Sequence, residues 1–270
     1  LNGTAENPMG NRKRNHEPLV AMRAGTYREF SPSPVLGAHF NCFWTHEIDG
    51  SETRTIGIVP DGYCDLVWIN GRLMVAGPDR TSAFPAIRGG EEIVGARFAP
   101  GAAAAWLKLP LSEIVGKSVP LRDIWGADAA DIDSRLTDCG TMDERMRTLR
   151  QELEKYSFHR ETAPKDIRFL FEGMSDPASG DKHLAKLLDT LEIGERQFRR
   201  RCHHYFGYGA KTLARIRRFQ SMLQLCRNDA AMSLAELALA AGYADQAHMT
   251  RDVGEFSTLT PLEIRRQIAA

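Results

Sequence analysis

A chain of 270 residues, 43% hydrophobic and 26% charged, has room for two ordinary domains and the composition of neither a disordered tail nor a disulfide-stapled miniprotein. No apolar run reaches bilayer-spanning length and no signal-peptide pattern opens the sequence; the five scattered cysteines form no Cys-x-x-Cys pair, so reduced thiols in the cytoplasm are expected. Lys+Arg and Asp+Glu balance at 35 each, but residues 181–270 carry 14 against 10 and residues 1–180 carry 21 against 25.

Residues 1–18 are polar and read as a flexible tail, with Met9 or Met22 as candidate starts. From Leu19 to Pro100 the pattern is short strands: Val35–Thr45, Thr55–Val59, Tyr63–Ile69, Arg72–Ala76 and Glu92–Phe98 are rich in β-branched and aromatic residues. Pro60-Asp61-Gly62 and Asn70-Gly71 are turn signals, the second that of a tight hairpin, and Asp61 is most simply a turn residue. Short helices are expected over Ala102–Leu107, around Pro110–Ile114 and over Ile124–Leu136. This gives a β-rich domain with appended helices over residues 19–140.

His39, Cys42 and His46 have metal-like spacing, but strand alternation brings only Cys42 and His46 to one face, so no metal site is assigned. Trp44, Tyr63, Asp65, Trp68 and Arg97 combine aromatic walls with a few polar groups, the make-up of a small-molecule pocket, although both tryptophans suit a core equally well. Met142, Met146, Leu149, Leu153 and Tyr156 step by 4, 3, 4 and 3 along a helix, either packing on their own domain or forming a dimerisation or relay seam. Residues 141–160 are accordingly a linker helix. Pro164 opens a further helix through Ile167, Leu170, Phe171 and Met174, and residues 175–181 form a surface loop.

Two similar units follow within residues 161–270. In the second, Ser233 and Glu236 form a capping box and Leu234, Leu237, Ala238 and Ala241 form one apolar stripe. Gly242 stops that helix and Asp245 caps the next, which carries Met249 and Val253 inward and Gln246, His248 and Arg251 outward. This is a helix-turn-helix pattern. Upstream, Leu187, Leu188 and Leu191, a turn at 192–194, and ERQFRRRCHHYF repeat it at an offset of 51 residues. A connecting helix with a Leu213, Ile216, Phe219, Met222, Leu223 and Cys226 stripe joins the two. Between Glu195 and Arg227 nine basic residues face one acidic residue, a stripe suited to phosphate. The fold class is α+β: a β-rich N-terminal domain and an all-α C-terminal domain of two helix-turn-helix units.

The segments LAELALAAGYADQAHMTR, LTPLEIRR, ERQFRRR and FGYGAKTLARIRRFQ resemble the DNA-binding domain of AraC-type transcriptional regulators. Thr258 stands where that family usually has Gly, Ala210 where it has Pro, and Val253 where it has an aromatic residue. IVPDGYCDLVW, VAGP, GARFAPGAAAAWL and LPLSEI resemble the N-terminal domain of one AraC-type subfamily over residues 40–136, a resemblance that brings no ligand with it. By the resemblance, Arg196, Arg199 and Arg200 read bases, and Gln246, Ala247, His248 and Arg251 hold the corresponding positions in the second unit. Arg forks match guanine and Gln matches adenine. Arg201, Lys211, Arg215 and Arg218 are expected at phosphates or in solvent.

The leading expectation is a non-enzymatic, sequence-specific transcription regulator, modulated by a small molecule or by dimerisation; no residue records whether it activates or represses. Its candidate partners are double-stranded DNA, a small-molecule effector, RNA polymerase and a second copy of the chain, with no membrane and no cofactor. The alternative is a DNA-binding module fused to an enzyme or a cysteine methyl acceptor, for which Cys42 and Cys64 supply no zinc-type cluster.

Overall fold

Alternation of side chains across β-strands builds the N-terminal half. The structure, a computed structural model, describes residues 19–20, 24–174, 194–229 and 231–269. Strands β1 (Leu19–Val20), β4 (Arg54–Gly57) and β7 (Ala86–Ile87) make a three-stranded sheet in the order β1-β4-β7. Strands β2 (Gly25–Phe30), β3 (Phe40–Ile48), β8 (Glu92–Phe98), β5 (Asp65–Ile69), β6 (Arg72–Ala76) and β9 (Ser118–Pro120) make a six-stranded antiparallel sheet in that order. Asn70 and Gly71, both at positive φ, close the β5–β6 hairpin as a two-residue turn of this kind demands.

One face of the larger sheet is buried in a core. Leu66, Trp68, Leu73, Val75, Val94, Ala96 and Phe98 pack there with helices α1 (Ala102–Leu107), α3 (Ala127–Thr137) and α4 (Met142–Ser157). A short helix, α2 (Arg122–Trp125), precedes α3; the single helix expected over Ile124–Leu136 is broken by Gly126 at φ 63°. The strand expected from Val35 begins only at Phe40, because residues 34–39 coil into a turn with Leu36 and Gly37 amides bonding the Ser33 carbonyl. β2 went unanticipated: its residues are half-buried or exposed, as on an edge strand, so the apolar signal is weak.

Helix α4 begins at a capping box between Thr141 and Glu144. Met146, Leu149 and Leu153 are buried in the N-terminal core, so the helix expected as a linker is an integral part of that domain and its heptad-like stripe is occupied.

The C-terminal half has its own core, built from α5 (Lys165–Gly173), α6 (Glu195–Phe206), α7 (Ala210–Asn228), α8 (Leu234–Ala240), α9 (Gln246–Ser257) and α10 (Pro261–Ala269). Leu213, Ile216, Phe219, Met222, Leu223 and Cys226 form the buried stripe of α7. The two halves touch closely. Gly62 lies against Leu213 and Phe171, and a side chain at Gly101 would strike Ile167 of α5. Gln220 donates to the Pro60 carbonyl at 2.7 Å, and the Ser82 amide and hydroxyl both donate to the Phe256 carbonyl at 2.8 and 2.7 Å.

Candidate DNA interface and inter-domain cavity

Helix α6 buries Phe198, Cys202 and Phe206 and exposes Arg196, Arg199 and Arg200. Its N-cap is Gly194, which offers no side-chain hydrogen bond to the first-turn amides. The preceding helix expected through Leu187, Leu188 and Leu191, its turn at 192–193 and the loop at 175–181 lie outside the described residues.

Helix α8 starts at the Ser233–Glu236 capping box and Gly242, at φ 82°, turns the chain. Asp245 caps α9 by accepting the His248 amide at 2.7 Å. Met249, Val253 and Phe256 are buried; Gln246, Ala247, Thr250 and Arg251 are exposed. His248 is half-buried, its ring edge-on to Tyr243 at 5.2 Å and its Nε2 3.8 Å from Asp252. Thr250, one turn on from Gln246, extends the exposed face beyond the residues singled out by sequence. Thr258 ends the helix in the left-handed conformation at φ 62°, a conformation that ordinarily favours Gly.

The arginines expected at phosphates divide differently. Arg201 pairs with Asp166 at 2.6 Å, tying α6 to α5. Arg215 donates from Nη2 to Asp252 at 2.8 Å, pairs with Glu255, and lies 4.9 Å over the Phe256 ring. Arg218 donates to the Gly242 carbonyl at 3.3 Å and lies over Tyr243. These three are therefore internal ties: their carboxylate and carbonyl partners sit on neighbouring elements, which sequence spacing does not show. Lys211 is exposed at the start of α7.

The other face of the six-stranded sheet lines a cavity of about 630 Å³. Tyr27, Trp44, His46, Asp65, Val67, Met74, Ile93 and Arg97 form its floor, with Asp61 and Tyr63 at one end. The small sheet supplies a wall through Ile56 and Ile87, and the C-terminal half closes it with Arg217, Gln220, Leu223 and Arg227 of α7. Four of the five residues expected at a pocket meet here. Trp68 does not: Asp65 and Trp68 are three apart on β5, so they face opposite sides, and Trp68 belongs to the N-terminal core. Gly95 is required by the floor, since a Cβ there would lie 2.1 Å from the Trp44 indole stretched across it.

Charge is concentrated at one end. Arg97 grips Asp65 with two bonds of 3.1 Å, reaches Asp61 at 2.8 Å, and stands 5.0 Å over Tyr63. Asp61 also accepts the Tyr63 amide at 2.9 Å, so its turn role and its ion pair coexist. Burial pushes Asp65 above the usual carboxylate range, against the pull of Arg97. Asp79 is pushed up to about 6 by burial and by the neighbouring Asp61 and Asp65. Burial lowers His46, keeping the imidazole neutral, and its Nε2 has no hydrogen-bond partner. His39, outside the strand, accepts from Trp106 Nε1 at 2.9 Å and does not join Cys42. No cluster of three metal-capable side chains occurs among the described residues.

Residues 187–267 match the model of a helix-turn-helix domain, and residues 28–120 match a domain of unknown function, DUF6597. No curated protein matches. Similar solved structures include ToxT from Vibrio cholerae O395, 10% identical with a TM-score of 0.48, covering 84% of this chain and 98% of that one. Wild-type ToxT of V. cholerae strain SCE256, bound to an unsaturated fatty acid, is 9% identical with a TM-score of 0.46, covering 83% and 95%. At these values the likeness carries no argument about ligand or mechanism.

Proposed function

We propose that this chain, a DNA-binding transcription regulator with an AraC-type helix-turn-helix domain, reads sequence mainly through α6 and is modulated by a small molecule held between its two halves. The observation that carries the DNA reading is the face of α6, where Arg196, Arg199 and Arg200 are exposed opposite a buried Phe198–Cys202–Phe206 stripe. Such a helix can enter the major groove, its guanidinium forks pairing with guanine edges. Gln246, Ala247 and Arg251 offer the second unit's contacts, and Lys211 a phosphate contact. His248, packed on Tyr243, has the least freedom to reach a base.

The modulator reading rests on the cavity itself. Its size and its apolar lining with a few polar groups suit a small organic molecule. Because α7 both closes it and joins the two helix-turn-helix units, an occupant that prefers one placement of α7 shifts DNA affinity by that differential alone. RNA polymerase, a second copy of the chain and cytoplasmic residence complete the proposal. The second copy would not dock on the α4 stripe, which is buried within the chain.

The alternative of a cysteine methyl acceptor is disfavoured by thiol chemistry, because burial pushes Cys42 up to about 11 and raises Cys64 well above the usual thiol range, away from the nucleophilic thiolate. Selection of binding sites from a random duplex pool by the full-length chain tests the main reading. Recovery of a defined motif is expected; binding without enrichment that vanishes as salt rises would overturn it.

A further inference from the structure

We propose that the effector of the inter-domain cavity is an elongated, largely apolar molecule with a cationic head, an amine or a related group, seated against Asp61, Asp65 and Asp79. This deepens the small-molecule reading above and rests on it.

The argument begins with the groups that already have partners. At the head end three carboxylates, Asp61, Asp65 and Asp79, stand against two guanidiniums: Arg97 is taken up by Asp61 and Asp65, and Arg217 lies beside Asp61 and Tyr63. Asp79 lines the same space and has no hydrogen bond or ion pair among the described residues. The other cations of the lining have partners of their own. Arg217 donates to the Asp61 carbonyl and lies 4.6 Å over Phe171, Lys117 donates to the Glu113 carbonyl on the surface, and Arg227 stands in the field of Glu29. The head end thus carries an excess of negative charge within a mostly apolar enclosure, where a bound cation interacts more strongly than in water. Burial first, and then the neighbouring Asp61 and Asp65, push Asp79 up to about 6.

A second observation points into the same cavity. His46 is 7% exposed, lines the far end, and leaves Nε2 without a partner. Register sets the distance between the two ends. Arg97 lies opposite Asp65, and Ile93, four residues back along β8, lies opposite His46. At about 3.3 Å per residue the separation is about 13 Å, the length of an extended eight- to ten-atom chain. Between them the occupant would lie on Trp44, Val67 and Met74.

The test uses the full-length chain and three probes that share one tail: octylamine, octanol and octanoate, followed at pH 7.5 by thermal melting and tryptophan fluorescence. Octylamine is expected to bind saturably, about tenfold more tightly than octanol, with octanoate weaker still. Asp79→Asn should narrow the gap between amine and alcohol, and Gly95→Ala, which drives the Trp44 indole off the floor, should abolish binding of the amine. Octanoate binding as tightly as octylamine, or an amine preference that survives Asp79→Asn, would overturn the cationic head while leaving the cavity as a ligand site. Octylamine binding that persists in Gly95→Ala would place it elsewhere and overturn the proposal. No saturable binding by any of the three would count against the cavity reading as well.

Discussion

The two helices offered to DNA are stabilised in opposite ways. Helix α6 begins at Gly194 with no side-chain cap and carries Arg196, Arg199 and Arg200 into solvent, while Arg201 ties it to Asp166. Helix α9 is capped by Asp245 and bracketed to α7 through Asp252, Glu255 and Arg215, while its exposed face holds a single arginine. Like charges on a short uncapped helix repel one another and oppose its positive N-terminal dipole; a polyanion relieves both. On the function proposed above, α6 suits a polyanionic partner, whereas α9 is fixed by its neighbours within the chain.

Removing the bracket should have the largest effect. Arg215→Ala leaves the Asp252 carboxylate, 6% exposed, without its main partner, and should cost about 3 kcal/mol in urea unfolding of the full chain. Arg215 also holds Glu255 below its ordinary range, so that part of the stabilisation is present above the unfolded carboxylate value. It is lost as pH falls through the folded one, and the difference between wild type and variant should shrink below about pH 4. An effect on DNA affinity with unchanged unfolding would break the comparison.

Arg199→Ala should weaken binding to the selected site by about 1–3 kcal/mol and relax one base position, whereas Arg251→Ala should cost less than about 1 kcal/mol. Quantitative titration of the two variants on matched and mismatched duplexes decides it; equal losses would mean that both units read sequence alike. Capping gives a smaller contrast. Asp245→Ala should cost about 1 kcal/mol of stability, while Gly194→Asp should add a few tenths by supplying the cap that α6 lacks. Smallest is Thr258→Gly, which relieves a left-handed non-Gly residue and should raise stability by up to about 1 kcal/mol in the same urea titration. A loss instead would mean that the Thr258 side chain contributes where no hydrogen bond from it is seen.

Local signals proved legible where they were chemical and short. Ser233 with Glu236, Gly242 and Asp245 announce helix ends through donors and dihedral angles that belong to those residues alone, and they stand where expected. Helix Ala102–Leu107 and strands Arg72–Ala76 and Glu92–Phe98 also match, the strands through their run of β-branched and aromatic residues. Partners distant in sequence were not legible. Nothing in RIRRF tells that Arg215 meets residues 37 and 40 positions on, or that Arg217 and Gln220 roof a cavity floored by β-strands. Trp68 is the instructive miss: its three-residue offset from Asp65 already placed it on the other face, had the alternation applied to His39 and Cys42 been applied to it.

Helix α7 has one more consequence, for how such a protein could be rebuilt. Its buried stripe belongs to the DNA-binding half, while Gln220 and Leu223 complete the cavity and Gln220 is fastened to the Pro60 carbonyl. A chimera that grafts residues 24–160 onto another helix-turn-helix domain would receive a receptor with its roof missing, and the donor domain would lose the wall it leans on. The halves are not interchangeable cassettes. Responsiveness would transfer only if the cavity-facing positions 217, 220, 223 and 227 travelled with the sensor.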